Sequence, residues 1–156
     1  MPPFRIREDA RTWFKELRER EKSFKTDFDA FYFCFMAGVA ARRKRHISTD
    51  QTGELVAYFP DRYQSRGKLM IALFLTRELK ALGLETRERH SVHRAIAELV
   101  GTEGGSHLTD KGVAEFNKYA HAGYDVLLGW FDDKPRTLET FLRTFKRKLD
   151  AELASG

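Results

Sequence analysis

The chain has 156 residues, of which 42% are hydrophobic and 13% aromatic, and this composition excludes an intrinsically disordered protein. Lys and Arg number 28 against 23 Asp and Glu, so the net charge of +5 favours an anionic partner such as nucleic acid. The single cysteine, Cys34, excludes a disulfide framework, and the longest apolar run is too short to span a bilayer. We therefore expect a cytoplasmic protein without a membrane partner, folded as a single helical domain over 1–156.

Apolar periodicity and capping residues predict helices along the chain, which indicates an all-α fold arranged as a compact multi-helix bundle. A peripheral charged helix over 7–22 comes first, with Trp13, Phe14 and Leu17 as its large apolar face. The helix over 28–42 is apolar on all sides, so it must be buried. Thr26 or Asp27 is expected to cap it.

The rest of the chain also reads as helical. A short helix is expected from Glu54 to Phe59, and a second central helix, buried on all sides, over 68–82 with Gly83 as its C-cap. Four further helices are expected: Arg87 to Val100, a helix capped by Thr109 that runs to His121 and ends at Gly123, Tyr124 to Phe131, and Leu138 to Leu153. No run alternates apolar and polar residues well enough to predict a strand.

A dense positive cluster follows the first central helix. We call residues 42–46, which are Arg42, Arg43, Lys44, Arg45 and His46, the basic segment. A helix dipole explains one or two cations at a helix C-terminus, but it does not explain four in succession, because these repel one another. Contacts with nucleic-acid phosphates would explain the excess. We therefore predict that Arg42, Arg43, Lys44 and Arg45 bind nucleic acid.

A second basic group stands before the other central helix and contains Arg62, Arg66 and Lys68 around Tyr63. Cations and aromatic rings at a helix N-terminus suit backbone phosphates, so these three residues are also predicted to bind nucleic acid. A solvated first turn explains them equally well. Because both groups flank central helices, they could share one face of the bundle.

Two carboxylates, Asp27 and Asp29, stand at the start of the first central helix. Helix capping and the helix dipole explain both. The sharper hypothesis is that they are catalytic and hold Mg²⁺ or Mn²⁺, since phosphodiester hydrolysis commonly uses carboxylate-bound metal beside cations. A helix of this length would separate them from the basic segment by about 20 Å, so one active site would need a second subunit.

Three sequence patterns carry a resemblance to a known group of proteins. They are Phe-Asp-x-Phe-Tyr-x-Cys-x-Met-x-Gly-x-Ala-Ala-Arg-Arg at 28–43, Tyr-Phe-Pro-Asp-Arg-Tyr at 58–63 and Phe-Lys-Arg-Lys-Leu at 145–149. In these patterns, and in size and basicity, the chain resembles the small DNA-nicking component of bacterial single-strand DNA phosphorothioation systems, which serve in defence. The resemblance implies a homo-oligomer that binds duplex DNA, works with other modification proteins and nicks one strand with a divalent metal.

Two alternatives remain open from the residues themselves. The chain could be a non-catalytic nucleic-acid-binding subunit, which needs the basic segment but no metal. It could also be an oligomeric interaction protein, in which the Phe-rich stretch 28–41 forms the partner surface.

Overall fold

The computed structural model describes residues 2–20 and 26–155. Six α-helices and one small antiparallel sheet form in these residues, which confirms the predicted all-α fold class. The helices are α1 Glu8–Arg20, α2 Asp27–Ala41, α3 Gln64–Ala81, α4 Arg89–Leu99, α5 Asp110–Trp130 and α6 Leu138–Ala154, and the strands are β1 Arg5–Arg7 and β2 Thr52–Glu54. None of the described helices is long and apolar enough to cross a membrane.

The chain divides into two compact units. Unit 1 comprises Val56–Phe116 with the N-terminal residues up to Phe4, and unit 2 comprises Arg5–Leu55 with the residues from Asn117 onward. Helix α5 begins in unit 1 and continues into unit 2. That the whole chain acts as a single domain stays a prediction.

Aromatic side chains make the core of unit 2. Helix α2 is buried over most of its length, as its apolar sequence predicts, and Phe31 and Phe35 are fully buried. Phe33 meets Phe141 and Phe145 of α6 edge-on, with ring centroids 4.9 Å apart in both pairs. Edge-to-face pairs of this kind add to the stability gained by burying the rings.

Helices α2 and α5 cross in backbone contact at two glycines. A Cβ atom on Gly38 would collide with the carbonyl oxygen of Tyr119, and one on Gly123 would collide with the carbonyl oxygen of Cys34. The prediction that a helix ends at Gly123 is therefore wrong. The residue lies inside α5, because this crossing requires a residue without a side chain.

The small sheet is not predicted from the sequence. Its strands pair Ile6 with Gly53, and Arg5 with Glu54, and each strand has only three residues, too few for a period-2 pattern to show. The predicted helix from Glu54 to Phe59 is wrong, since Glu54 ends β2 and no helix follows before Asp61.

Unit 1 buries only one stripe of α3. Met70 and Phe74 are fully buried, and Phe74 lies edge-on against Phe116 with centroids 5.2 Å apart. On the other side Leu69 is 54% exposed, so the prediction that the helix over 68–82 is buried on all sides is wrong. The predicted end is confirmed: Gly83 has φ 72°, as a glycine after a helix commonly does.

Candidate nucleic-acid interface

The basic segment begins where α2 ends in an unusual backbone conformation. Arg42 has φ 58° and ψ 42°, the left-handed region that glycine normally occupies at this position. Its N–H donates to the carbonyl of Val39 (3.2 Å), and the N–H of Arg43 donates to the carbonyl of Gly38 (3.0 Å). The helix thus ends at Ala41, one residue before the predicted end at residue 42, and the basic segment follows it.

Replacing Arg42 by glycine is expected to stabilise the fold. The left-handed conformation costs a residue with a Cβ roughly 1–2 kcal/mol, and the extra freedom of glycine in the unfolded chain offsets part of this gain. We expect Arg42→Gly to raise the free energy of unfolding by about 0.5–1 kcal/mol in a urea titration. A variant less stable than the native chain would show that the arginine side chain itself holds α2 in place.

The cations of the basic segment are exposed. All five side chains from Arg42 to His46 are exposed to solvent. Among the described residues, no carboxylate pairs with the guanidinium of Arg42 or of Arg43. Solvent and salt screen the repulsion between these two side chains, and a bound polyanion would relieve it further.

The C-terminal part of the basic segment is hydrogen-bonded to α5 through Arg45. The N–H of Arg45 donates to the carbonyl of Lys118 (3.0 Å), and its Nη1 donates to Oδ2 of Asp125 (2.8 Å). The Nζ of Lys44 lies 5.5 Å from the ring centroid of Tyr119, a cation–π distance. Arg45 thus has an internal partner, whereas Arg42 and Arg43 have no carboxylate partner in the part of the chain that the structure describes.

Asp125 belongs to a larger ion-pair network. Its Oδ1 lies 3.0 Å from Nη1 of Arg7, and Nη2 of Arg7 lies 2.8 Å from Oδ2 of Asp9. Partial burial disfavours the charged carboxylate, but hydrogen bonds and charge from Arg45 and Arg7 outweigh it and hold the pKa of Asp125 below its usual value. Sequence reasoning missed this network, and the lone acid between Tyr124 and Val126 in an apolar stretch is the signal that could have found it.

A buried histidine lies beside this network. The His121 side chain is only 5% exposed, its carbonyl accepts from Nη1 of Arg7 (3.0 Å), and its Nδ1 has no hydrogen-bond partner among the described residues. Burial, followed by the positive charges of Arg7 and His46, lowers the pKa of His121 to about 4. The folded chain therefore keeps this imidazole neutral at pH 7.

Acid should destabilise the fold through His121. In the unfolded chain a histidine takes up its proton near pH 6.5, whereas in the folded chain His121 does so only near pH 4. Unfolding between these two pH values is therefore coupled to the uptake of one proton. The free energy of unfolding should fall as the pH drops from 6.5 to 4, by up to roughly 3 kcal/mol from this group. We expect His121→Gln to flatten that part of the urea-measured profile. An unaltered profile in His121→Gln would contradict the prediction.

Both predicted catalytic carboxylates have structural partners. Asp29 is buried and forms a capping box with Thr26, whose N–H donates to Oδ2 of Asp29 (3.1 Å). Asp27 Oδ2 lies 3.1 Å from Nε of Arg11, in a cleft that Lys15 also lines. No group of three or more potential metal ligands occurs in the described residues. Their catalytic role stays a prediction.

The second basic group lies in unit 1. The guanidinium carbons of Arg62 and Arg66 lie 5.8 Å and 5.7 Å from the ring centroid of Tyr63, which is buried. Arg62, Arg66 and Lys68 are exposed, as a phosphate contact requires. Because the basic segment lies in unit 2, a face shared by the two groups stays a prediction.

Cys34 is excluded as a nucleophile by its surroundings. Its side chain is buried in α2, and burial raises the pKa of the thiol far above neutrality.

Comparisons of the chain with protein-family models, with curated proteins and with solved structures find no match.

Proposed function

We propose that this chain binds nucleic acid through backbone phosphates, with Arg42, Arg43 and Lys44 of the basic segment as the main contacts. The observation that carries the proposal is Arg42, which is exposed, has no carboxylate partner among the described residues and occupies a backbone conformation that favours glycine. Strained residues cluster at functional sites because function maintains what the fold alone would not. A positive charge is the property that arginine adds there.

Contacts of this kind are to phosphates rather than to bases. The aromatic ring next to the basic segment, that of Tyr119, is 2% exposed and has Lys44 over its face, so it offers no platform for stacking a base. Sequence-independent binding with a strong dependence on salt follows from phosphate contacts alone. Arg62, Arg66 and Lys68 supply a second set of exposed cations on unit 1.

The biological setting that we propose is the one implied by the resemblance: DNA as the partner, in a cytoplasmic bacterial modification or defence system, with a homo-oligomer as the binding form. The second candidate function is DNA nicking with Mg²⁺ or Mn²⁺. The cleft at Asp27, which places a carboxylate beside the cations of Arg11 and Lys15, is the observation that favours it. Since Asp29 is occupied in capping α2, we rank binding without cleavage first.

Two assays test these proposals together. Titrating the protein into a fluorescently labelled 20-base-pair duplex at 50 mM salt should give saturable binding that weakens steeply as salt is added. Binding that is absent at low salt would contradict the proposed function.

Incubating supercoiled plasmid with the protein and Mg²⁺ or Mn²⁺ separates the two candidates. Intact plasmid with duplex binding supports a binding protein. If the protein converts the plasmid to open circles and Asp27→Asn does not, the nicking function is supported and binding without cleavage is contradicted.

A further inference from the structure

Asp125 is the link between the basic segment and the rest of unit 2. One of its oxygens accepts from Arg45 (2.8 Å) and the other pairs with Arg7 (3.0 Å), whose side chain is only 10% exposed and also pairs with Asp9. The pair of Arg7 with Asp125 is therefore fixed in place by largely buried groups. The pair of Asp125 with Arg45 lies nearer the surface, since the Arg45 side chain is 53% exposed.

We propose that Asp125 is a positioning residue, which acts through Arg45 to hold the basic segment in the geometry that binds phosphates; this inference rests on the proposed function. The chain before Arg45 is fixed at Gly38 through the N–H of Arg43, and the chain at Arg45 is fixed at Lys118. The bridge to Asp125 holds the segment through the side chain of Arg45, and Asp125 is itself paired with the largely buried side chain of Arg7. Arg45 is thus an anchor, and the phosphate contacts are Arg42, Arg43 and Lys44.

Simple electrostatics predicts the opposite effect, and this makes the proposal testable. Asp125 is a negative charge next to the basic segment, so its removal alone should strengthen binding to a polyanion. If Asp125 positions the segment, its removal should weaken binding, because the cations must then be ordered when the polyanion binds. The sign of the change in affinity distinguishes the two.

The experiment compares Asp125→Asn with Asp132→Asn, which removes the same charge from an exposed position in unit 2. For a labelled duplex, we expect Asp125→Asn to raise the Kd roughly fivefold, and Asp132→Asn to leave it unchanged or lower it. Arg45→Gln breaks the same bridge and keeps the pair between Arg7 and Asp125. Because Asp125→Asn and Arg45→Gln remove the same ion pair, the variant that carries both substitutions should bind no more weakly than Arg45→Gln alone. Tighter binding by Asp125→Asn, or additive losses in the double variant, would overturn the proposal.

A second readout does not need the nucleic acid. Amide hydrogen exchange of Arg45, whose N–H is bonded to Lys118, should become about tenfold faster in Asp125→Asn, whereas amides in the middle of α2 keep their rates. If the native chain fails to bind DNA but exchange at Arg45 responds, the proposed function is wrong and the bridge still orders the segment. If the native chain binds and exchange at Arg45 does not respond, the positioning role is wrong. Global loss of protection would show that Asp125 maintains the fold instead, and Arg45→Gln then decides between the two roles by the same measurement.

Discussion

Gly123→Ala is expected to destabilise unit 2 by about 3 kcal/mol or more. The added Cβ would meet the carbonyl oxygen of Cys34, which belongs to the backbone of α2 and cannot rotate away. Helices α2 and α5 would have to move apart, and the aromatic packing around them would loosen. Urea-induced unfolding, followed by tryptophan fluorescence, measures the loss.

Gly129→Ala is the matched control, because it makes the same substitution in the same helix where a Cβ would meet nothing within 4 Å. Alanine is the better helix former, so this control should be neutral or more stable by up to about 1 kcal/mol. Equal stabilities for the two variants would contradict the close crossing of α2 and α5.

Reversing the charges of the three proposed phosphate contacts should weaken duplex binding strongly. We expect the triple variant Arg42→Glu, Arg43→Glu, Lys44→Glu to bind duplex DNA at least 100-fold more weakly at 50 mM salt, since each attraction to a phosphate becomes a repulsion. The three side chains are exposed, so the free energy of unfolding should change by about 1 kcal/mol or less. Fluorescence anisotropy and a urea titration on the same preparation measure both quantities.

A matched control separates local contact from overall charge. Arg143→Glu, Lys146→Glu and Arg147→Glu on α6 change the net charge equally, at positions that are also exposed in unit 2. This variant should lose much less affinity than the first. Equal losses would mean that net charge, rather than the basic segment, binds the polyanion.

Sequence alone predicted the features that depend on neighbours along the chain. The apolar stretch 31–41 has no polar side, so its burial in α2 follows from composition. Thr26 or Asp27 is predicted to cap this helix, and the structure shows Thr26 as the cap, in a capping box with Asp29. The basic segment had to be exposed, because so many charges cannot be buried together.

What sequence could not predict depends on contacts between distant parts of the chain. A glycine inside a helical pattern signals either a helix end or a close crossing, and only the partner of Gly123 on α2 decides between them. The pair of Arg45 and Asp125 joins residues 80 positions apart, and it exists because the crossing of α2 and α5 places Lys118 beside the basic segment. Likewise, α3 buries only Gly67, Met70, Phe74 and Glu78, and the apolar pattern of a helix does not reveal which of its sides will be covered by other elements.

The salt dependence of duplex binding tests the central claim most directly. The three proposed phosphate contacts of the basic segment should contribute about −2.7 to the slope of log Kobs against log salt concentration, and Arg42→Gly should make this slope shallower by about 0.9 while the fold becomes more stable. A slope near zero for the native chain, or one that Arg42→Gly leaves unchanged, would contradict phosphate binding by the basic segment.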